Sequence, residues 1–534
     1  MTPLDPRILA LLQAGDLTAA ARMADAAIAA GASHPLLFDA RAHLALQEGR
    51  HLDALSDFTR ALALAPGNPS LHVSAARSLI PLGRFDEALD ACNRAIAVAP
   101  DMAAAHFEKG CAAEFLGDLH LARREFQQTA ALDPRAAEAP ARLAALAARR
   151  GDWSEAGALA RKSLSRDPAN ISATLSLATA AIGAGEAGPQ IERLEGLLQR
   201  HDLSAEARCE ALALRADILD RQDRFAEAFE GYAAANAVLA RAYAPRFAGL
   251  PAGTQRVARL LAEFTAVPAE RWAAIAAGPS PAAGHVFVLG FYRTGTTLLG
   301  QILASHPAVV TLEEKPLLVE AAAEFLEPPG GLARLADLTA EDASHYRDLY
   351  WRHVRKNEPG IAGKIVVDKL PLNSLALPVI ARLFPEAKIV FAVRDPRDVV
   401  FSCFRRLLNV NRDTFEMLSL ERGAAFYAAV MDLAAAYRAR LPLAALDVRN
   451  EDVAADFEPQ VKRICAFLGL GWKDSMARFG EASRARSIAT PSAAQVARGI
   501  SSDGVGQWRR YAAELAGILP ALARWTGRFG YPAA

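Results

Sequence analysis

Gly290-Phe291-Tyr292-Arg293-Thr294-Gly295-Thr296-Thr297-Leu298-Leu299 decides how the second half of this chain folds. The apolar run Val286 to Leu289 feeds straight into it, and an amphipathic stretch to about Ser305 follows. That order predicts a strand, a tight glycine-bounded loop and a helix. Loop amides and a helix N-terminus then converge on one spot with partial positive charge and can hold a phosphate without a side-chain cation. The two glycines keep the GxxxxG spacing of a Walker loop, yet Thr296 stands where such a loop needs the lysine that reaches the outer phosphates. Hydroxyls at Thr294, Thr296 and Thr297 and one cation at Arg293 suit a single phosphate better than a triphosphate with magnesium.

Working outward, Lys364 to Val367 and Lys388 to Val393 are further short β-branched runs that alternate with longer helical stretches. Such alternation predicts βα units and a largely parallel sheet. Lys388 to Val393 runs into Arg394-Asp395-Pro396-Arg397-Asp398, where Asp395 is placed to cap a helix that Pro396 begins. Arg394 then sits at the strand's carboxyl end, and Ser402 lies nearly two turns into the helix. Val366-Val367-Asp368-Lys369-Leu370-Pro371 is an apolar strand ending in a lysine. Glu313-Glu314 closes another short run, and on extended backbone neighbouring side chains face opposite sides, so one of the two is expected to point inward.

The first half is periodic. Pro66, Pro100, Pro134 and Pro168 recur every 34 residues, as do Gly15, Gly49, Gly83, Gly117, Gly151 and Gly185. Ala20, Ala54, Ala88, Ala122 and Ala156 follow the first five of those glycines by five residues. In each unit the glycine permits a turn or close approach between two helices, the alanine lets them pack, and the proline opens the next unit. Phe58, Phe85 and Phe126 read as core. The pattern resembles the tetratricopeptide repeat, and Asp223-Arg224-Phe225-Ala226-Glu227-Ala228 echoes Gly83-Arg84-Phe85-Asp86-Glu87-Ala88 as a last, offset copy ending near Tyr243.

Composition narrows the function. The 534 residues carry 60 Lys plus Arg against 60 Asp plus Glu, so no global field is available for nucleic acid or an anionic membrane, and neither is expected as a partner. Cys92, Cys111, Cys209, Cys403 and Cys465 form no CxxC pair, which argues against a zinc cluster or a disulfide framework and for a reducing, cytoplasmic setting. The opening residues lack the basic and apolar regions of a secretory signal. The uncharged stretch between Arg271 and Arg293 is broken by Gly278-Pro279-Ser280-Pro281 and reads as a linker followed by a buried strand.

Taken from Arg293 through His306-Pro307, the first motif resembles the 5′-phosphate loop of sulfotransferases that use 3′-phosphoadenosine 5′-phosphosulfate. The likeness runs from about Gly284 to Tyr531. It implies that Arg293, Thr294, Gly295, Thr296 and Thr297 hold the 5′-phosphate, that Arg394 and Ser402 hold the 3′-phosphate, that Lys369 is the catalytic lysine, and that Arg293 also belongs to the catalytic set. Similarity of the closing segment to repeat-fused sulfotransferases adds Arg498 and Ser502 as nucleotide contacts. Protein-tyrosine sulfotransferases carry a similar double glutamate whose second member is the base, which selects Glu314 and leaves Glu313 structural or paired. One departure is Arg449-Asn450-Glu451-Asp452, where the family often has tyrosine at the place of Asn450.

The expected architecture is thus an all-α repeat solenoid over residues 1–243, a linker over 244–283, and a P-loop-like α/β sulfotransferase domain over 284–534. The expected activity is metal-free sulfuryl transfer to a hydroxyl of a peptide, carbohydrate or small molecule, with the repeat groove recruiting the acceptor or a protein partner. Two other readings stay open: a P-loop small-molecule kinase, and an inactive transferase fold serving as a repeat-based binding protein.

Overall fold

The computed structural model of the chain describes residues 6–406, 409–481 and 499–533. The chain divides into two compact units, one reaching Ala148 and including Asp152–Ala180, the other comprising Arg149–Gly151 and Ala181–Ala534.

The first unit is built of helix pairs such as Pro35–Gln47 with His51–Leu64, Pro69–Leu79 with Phe85–Val98, and Ala103–Leu116 with Leu119–Leu132. The repeat glycines lie in the turns inside each pair, with φ between +73° at Gly49 and +84° at Gly185. A Cβ at any of Gly15, Gly49, Gly83, Gly117 or Gly185 would meet nothing within 4 Å, so the turn, not close approach, selects the residue. Close approach falls to the alanines: Ala20, Ala54, Ala88, Ala122 and Ala156 are all fully buried. Phe58 and Phe126 are buried as expected. Phe85 is not core. It is the first residue of its helix, half-buried, and stacks on the exposed ring of Phe115 with centroids 5.1 Å apart.

In the second unit the offset repeat forms a hairpin of Ala205–Arg221 and Phe225–Phe247. Asp223 takes the repeat glycine's place there and keeps its left-handed conformation at φ +59°, which Asp adopts more readily than most side chains. The hairpin's Leu219, Ala228 and Tyr232 share one apolar core with the sheet, and so do Leu260 and Phe264 of the helix Gly253–Ala266. The stretch expected as a linker therefore carries a packed helix.

The sheet has five parallel strands: β1 (Gly284–Leu289), β2 (Val309–Glu313), β3 (Ile365–Lys369), β4 (Lys388–Val393) and β5 (Ala444–Arg449), in the order β2-β3-β1-β4-β5. Alternation along the strands separates two faces. Val286, Val288, Val367 and Val390 pack with Leu299, Ile302 and Leu303 of the helix Thr296–Ala304. Phe287, Leu289, Val366, Ile389 and Phe391 pack on the other side, with residues of Leu377–Leu383, Pro396–Arg405 and Leu420–Arg440. The chain leaving β1 thus turns to one face while that leaving β3 turns to the other. Between such strands, beyond their carboxyl ends, an open α/β sheet offers a ligand crevice.

Candidate active site

The crevice is where the sequence motifs meet. After β1 the loop closes on itself, because Thr294 Oγ1 donates to the Phe291 carbonyl at 2.7 Å. Its hydroxyl is thereby engaged within the loop, while Thr296 and Thr297 are buried at the start of the helix. Arg293 and Gly295 have φ of +62° and +99°, which folds the amides of the loop inward. A side chain at 295 would be strained twice: its Cβ would also stand 3.0 Å from Cγ of Asn450, the first residue of the helix after β5. Asn450, in the place of the family's tyrosine, thus packs against the loop after β1.

The second motif reaches the same point. Arg293 Nε donates to Ser402 Oγ at 3.1 Å, and Arg394 Nη1 donates to the Arg293 carbonyl at 3.0 Å. Arg394 also donates to the Gly504 carbonyl, while its buried Nε has no hydrogen-bond partner among the described residues. Burial, with Arg406 and Arg394 nearby, lowers the Arg293 pKa to about 10. A guanidinium so placed gains from an arriving anion. The rest of the corner is structural. Asp395 caps its helix through the Arg397 amide at 3.0 Å and pairs with the Arg397 guanidinium, which lies 4.0 Å from the Trp508 ring centroid. Asp398 accepts the amides of Gly506 and Trp508 at 2.6 and 2.9 Å, fixing the segment that includes Gly504. Ser502, two residues before Gly504, is exposed. Arg498 lies outside the described residues.

Lys369 ends β3 and is completely buried. Its Nζ stands 2.7 Å from Glu313 Oε2 and 2.9 Å from Glu314 Oε1. The expectation that only one glutamate could face inward is overturned here. Glu314 has φ +51°, so strand alternation stops at Glu313 and the turned backbone brings both carboxylates to the lysine. Behind Lys369, buried Asp368 accepts from Tyr350 Oη at 3.3 Å and Asn373 Nδ2 at 3.4 Å, and His285 Nε2 lies 2.7 Å from that tyrosine oxygen. Burial raises the Asp368 pKa to about 7 and lowers that of His285 to about 3. The turn that follows clamps the cradle's first residue, since the Gly290 amide donates to Pro371 O at 3.0 Å and Ser374 Oγ donates to Gly290 O at 2.9 Å. His306 is a helix-end latch: Nδ1 accepts the Ala308 amide and Nε2 faces the Gly471 carbonyl, both at 3.1 Å.

Residues 285–474 match the family model described as "Sulfotransferase family", and 7–69, 45–107 and 107–171 match models described as "Tetratricopeptide repeat". The chain carries a sulfotransferase-family domain behind tetratricopeptide repeats. An "Uncharacterized protein" of Aquifex aeolicus (strain VF5) is 25% identical over 353 residues, 62% of this chain and 44% of that protein. A "Putative protein-tyrosine sulfotransferase" of Caenorhabditis briggsae is 30% identical over 129 residues, 23% of this chain and 44% of that protein. The chain thus spans less than half the length of these curated relatives. Among solved structures, the sulfotransferase domain of the Synechococcus PCC 7002 olefin synthase is similar at 22% identity and TM-score 0.32, over 44% of this chain and 90% of that one. A tetratricopeptide repeat protein from Parabacteroides merdae is similar at 19% identity and TM-score 0.35, over 44% and 91%.

Several residues of the sulfotransferase-family domain were not singled out from sequence. Gln301 stands among apolar neighbours in the cradle helix, and a lone buried amide is a usable signal. Arg405, held by Asp217 and Asp220 of the hairpin at 3.2 and 3.1 Å, gives none, because its partners lie nearly 190 residues away.

Proposed function

We propose that this protein transfers a sulfuryl group from 3′-phosphoadenosine 5′-phosphosulfate to an acceptor hydroxyl. The observation that carries the reading is the fully buried Lys369 held between Glu313 and Glu314, next to a phosphate cradle that has a threonine where nucleotide triphosphatases need lysine. The loop amides, Thr296, Thr297 and Arg293 hold the 5′-phosphate. Arg394, with its unpartnered Nε, and Ser402 hold the 3′-phosphate, with Ser502 and Arg498 as further nucleotide contacts.

Glu314, the more exposed of the two carboxylates, takes the acceptor's proton as the new oxygen–sulfur bond forms. Lys369 neutralises the charge growing on the phosphate oxygen as its bond to sulfur breaks, and adenosine 3′,5′-bisphosphate leaves. No step calls on a metal. Asn450 packs against Gly295 without offering the family's phenol.

The repeats serve as the recruiting surface for the acceptor or a protein partner, in line with how stacked helical repeats present a concave face. All five cysteines are buried and unpaired, which suits the reducing cytoplasm. The test is a transfer assay with isotopically labelled donor and a panel of peptide, carbohydrate and small hydroxyl acceptors, run with chelator. Transfer is expected without added metal. Phosphoryl transfer from ATP instead would overturn the reading.

A further inference from the structure

One buried polar side chain next to the site has no part in that chemistry. Gln301, in the cradle helix Thr296–Ala304, is 2% exposed, and its neighbours Leu299, Ile302 and Leu303 are core. An amide removed from water needs hydrogen-bond partners. Gln301 Nε2 donates to Glu313 Oε1 at 2.8 Å, and the other Glu313 oxygen faces Lys369 Nζ at 2.7 Å. Strand pairing supports the arrangement, because Glu313 and Lys369 are register partners at the ends of β2 and β3. Gly300 leaves room for it: a Cβ there would stand 3.0 Å from Glu313 Oε1 and 3.6 Å from Lys369 Cγ.

The two carboxylates on Lys369 are therefore not equivalent. Glu313 takes a hydrogen bond from Gln301 on one oxygen and an ion-pair contact from Lys369 on the other, and its side chain is 20% exposed, whereas Glu314 accepts the lysine's hydrogen bond, is 39% exposed and reaches the lysine from a turned backbone. A lysine is a point charge on a four-carbon stem with no preferred bidentate geometry, so its position is set by what surrounds the ammonium. If Glu314 moves toward an acceptor, the ammonium keeps its place only through the other partner.

We propose that Gln301 is a positioning residue for Lys369 that acts through Glu313. The amide fixes the carboxylate, and the carboxylate fixes the ammonium at a set distance from the phosphate loop, because Gln301 and the loop belong to one helix and its N-terminus. The inference rests on the reading of Lys369 as the group that meets the leaving oxygen.

The test uses the full chain with Gln301→Met, which keeps the length and loses the donor, and Gln301→Glu. Gln301→Met is expected to lower kcat about 10- to 100-fold while donor KM and adenosine 3′,5′-bisphosphate affinity stay within about twofold. Combined with Glu313→Gln it is expected to cost little more than the worse single change, because the two act in series. Gln301→Glu is expected to show a pH signature: its activity relative to the unmodified protein should rise as pH falls and the new carboxyl regains a proton to donate to Glu313. An unchanged kcat in Gln301→Met, loss of donor affinity in proportion to kcat, or a flat activity ratio in Gln301→Glu would each overturn the inference. Amine-specific labelling of Lys369, read by mass spectrometry on ligand-free protein, keeps the test independent of turnover. Labelling several-fold faster in Gln301→Met supports the positioning role, and equal labelling overturns it. Absence of transfer by the unmodified protein would overturn the assigned reaction and leave the labelling result standing.

Discussion

Glu314 and Lys369 are clasped twice: the Glu314 amide donates to the Lys369 carbonyl at 2.8 Å while the Lys369 ammonium donates to Glu314 Oε1 at 2.9 Å. The backbone contact continues the β2–β3 pairing one residue past the strand's end. In the proposed reaction the side-chain contact is the part that opens for Glu314 to reach an acceptor, which leaves the pair tight in its main chain and releasable at its tip.

That division predicts unequal effects of two conservative changes. Glu314→Gln should lower kcat by roughly 10²- to 10⁴-fold, the usual scale for a general base, with donor affinity nearly unchanged. Glu313→Gln keeps the shape but weakens the hold on Lys369 and should be milder. Steady-state kinetics on both variants check the ranking, and near-full activity in both would remove this motif from the chemistry.

Nucleotide recognition gives a second expected outcome. Adenosine 3′,5′-bisphosphate should raise the melting temperature well beyond AMP, because the proposed donor site has Arg394 and Ser402 meeting a phosphate that AMP lacks. Arg394→Ala should abolish the difference. It should also cost about 1–3 kcal/mol of stability by itself, since the guanidinium supports the Arg293 and Gly504 carbonyls. Ser402→Ala should reduce the difference without that penalty. Equal shifts from the two nucleotides in the unmodified protein would contradict the donor assignment.

Asp368 makes stability depend on pH in an uncommon direction. Burial raises its pKa from the ordinary 3.8 to about 7, so between those values the folded protein keeps a proton that the unfolded chain releases. The resulting stabilisation is complete below about pH 4 and is lost as pH rises to about 7, on the order of 4 kcal/mol at most. Asp368→Asn should flatten the corresponding slope in denaturant melts across that window. An unchanged slope would mean that other groups carry it.

Truncation separates two boundaries. A fragment starting near Pro281 would lose the hairpin and the helix Gly253–Ala266, baring core around Tyr232, Leu260 and Phe264 and leaving Arg405 without Asp217 and Asp220. Loss of a buried ionic partner alone typically costs about 3–5 kcal/mol. That fragment is expected to be insoluble, whereas one starting near Ala181 is expected to fold and bind the bisphosphate. Solubility and a nucleotide thermal shift on the two fragments decide between them.

The sequence made local features legible and distant ones opaque. The strand β4 from Lys388 to Val393, the Asp395 cap with Pro396 behind it, and the repeat glycines all follow from residue type and short spacing. Convergence of both glutamates on Lys369 was not legible, because nothing about Glu314 as a residue type announces φ +51°. The packed helix in 244–283 was hidden by the Gly278-Pro279-Ser280-Pro281 break, which drew the whole stretch toward a linker reading although Val257, Leu260 and Phe264 keep helical spacing. Arg405 with Asp217 shows a different limit, since a buried ion pair between remote segments leaves no local pattern.

Arg293 and Glu314, φ +62° and +51°, are ordinary L-residues in the left-handed region, at roughly 1–2 kcal/mol each. Glycine would relieve that strain at either position and erase, at the same stroke, a side chain to which the proposed reaction gives a role. A library of variants sorted only for heat tolerance would therefore be drawn toward these two codons, and its most robust members would include ones that the proposed reaction expects to be inert. Any attempt to harden this protein has to sort for turnover in the same round.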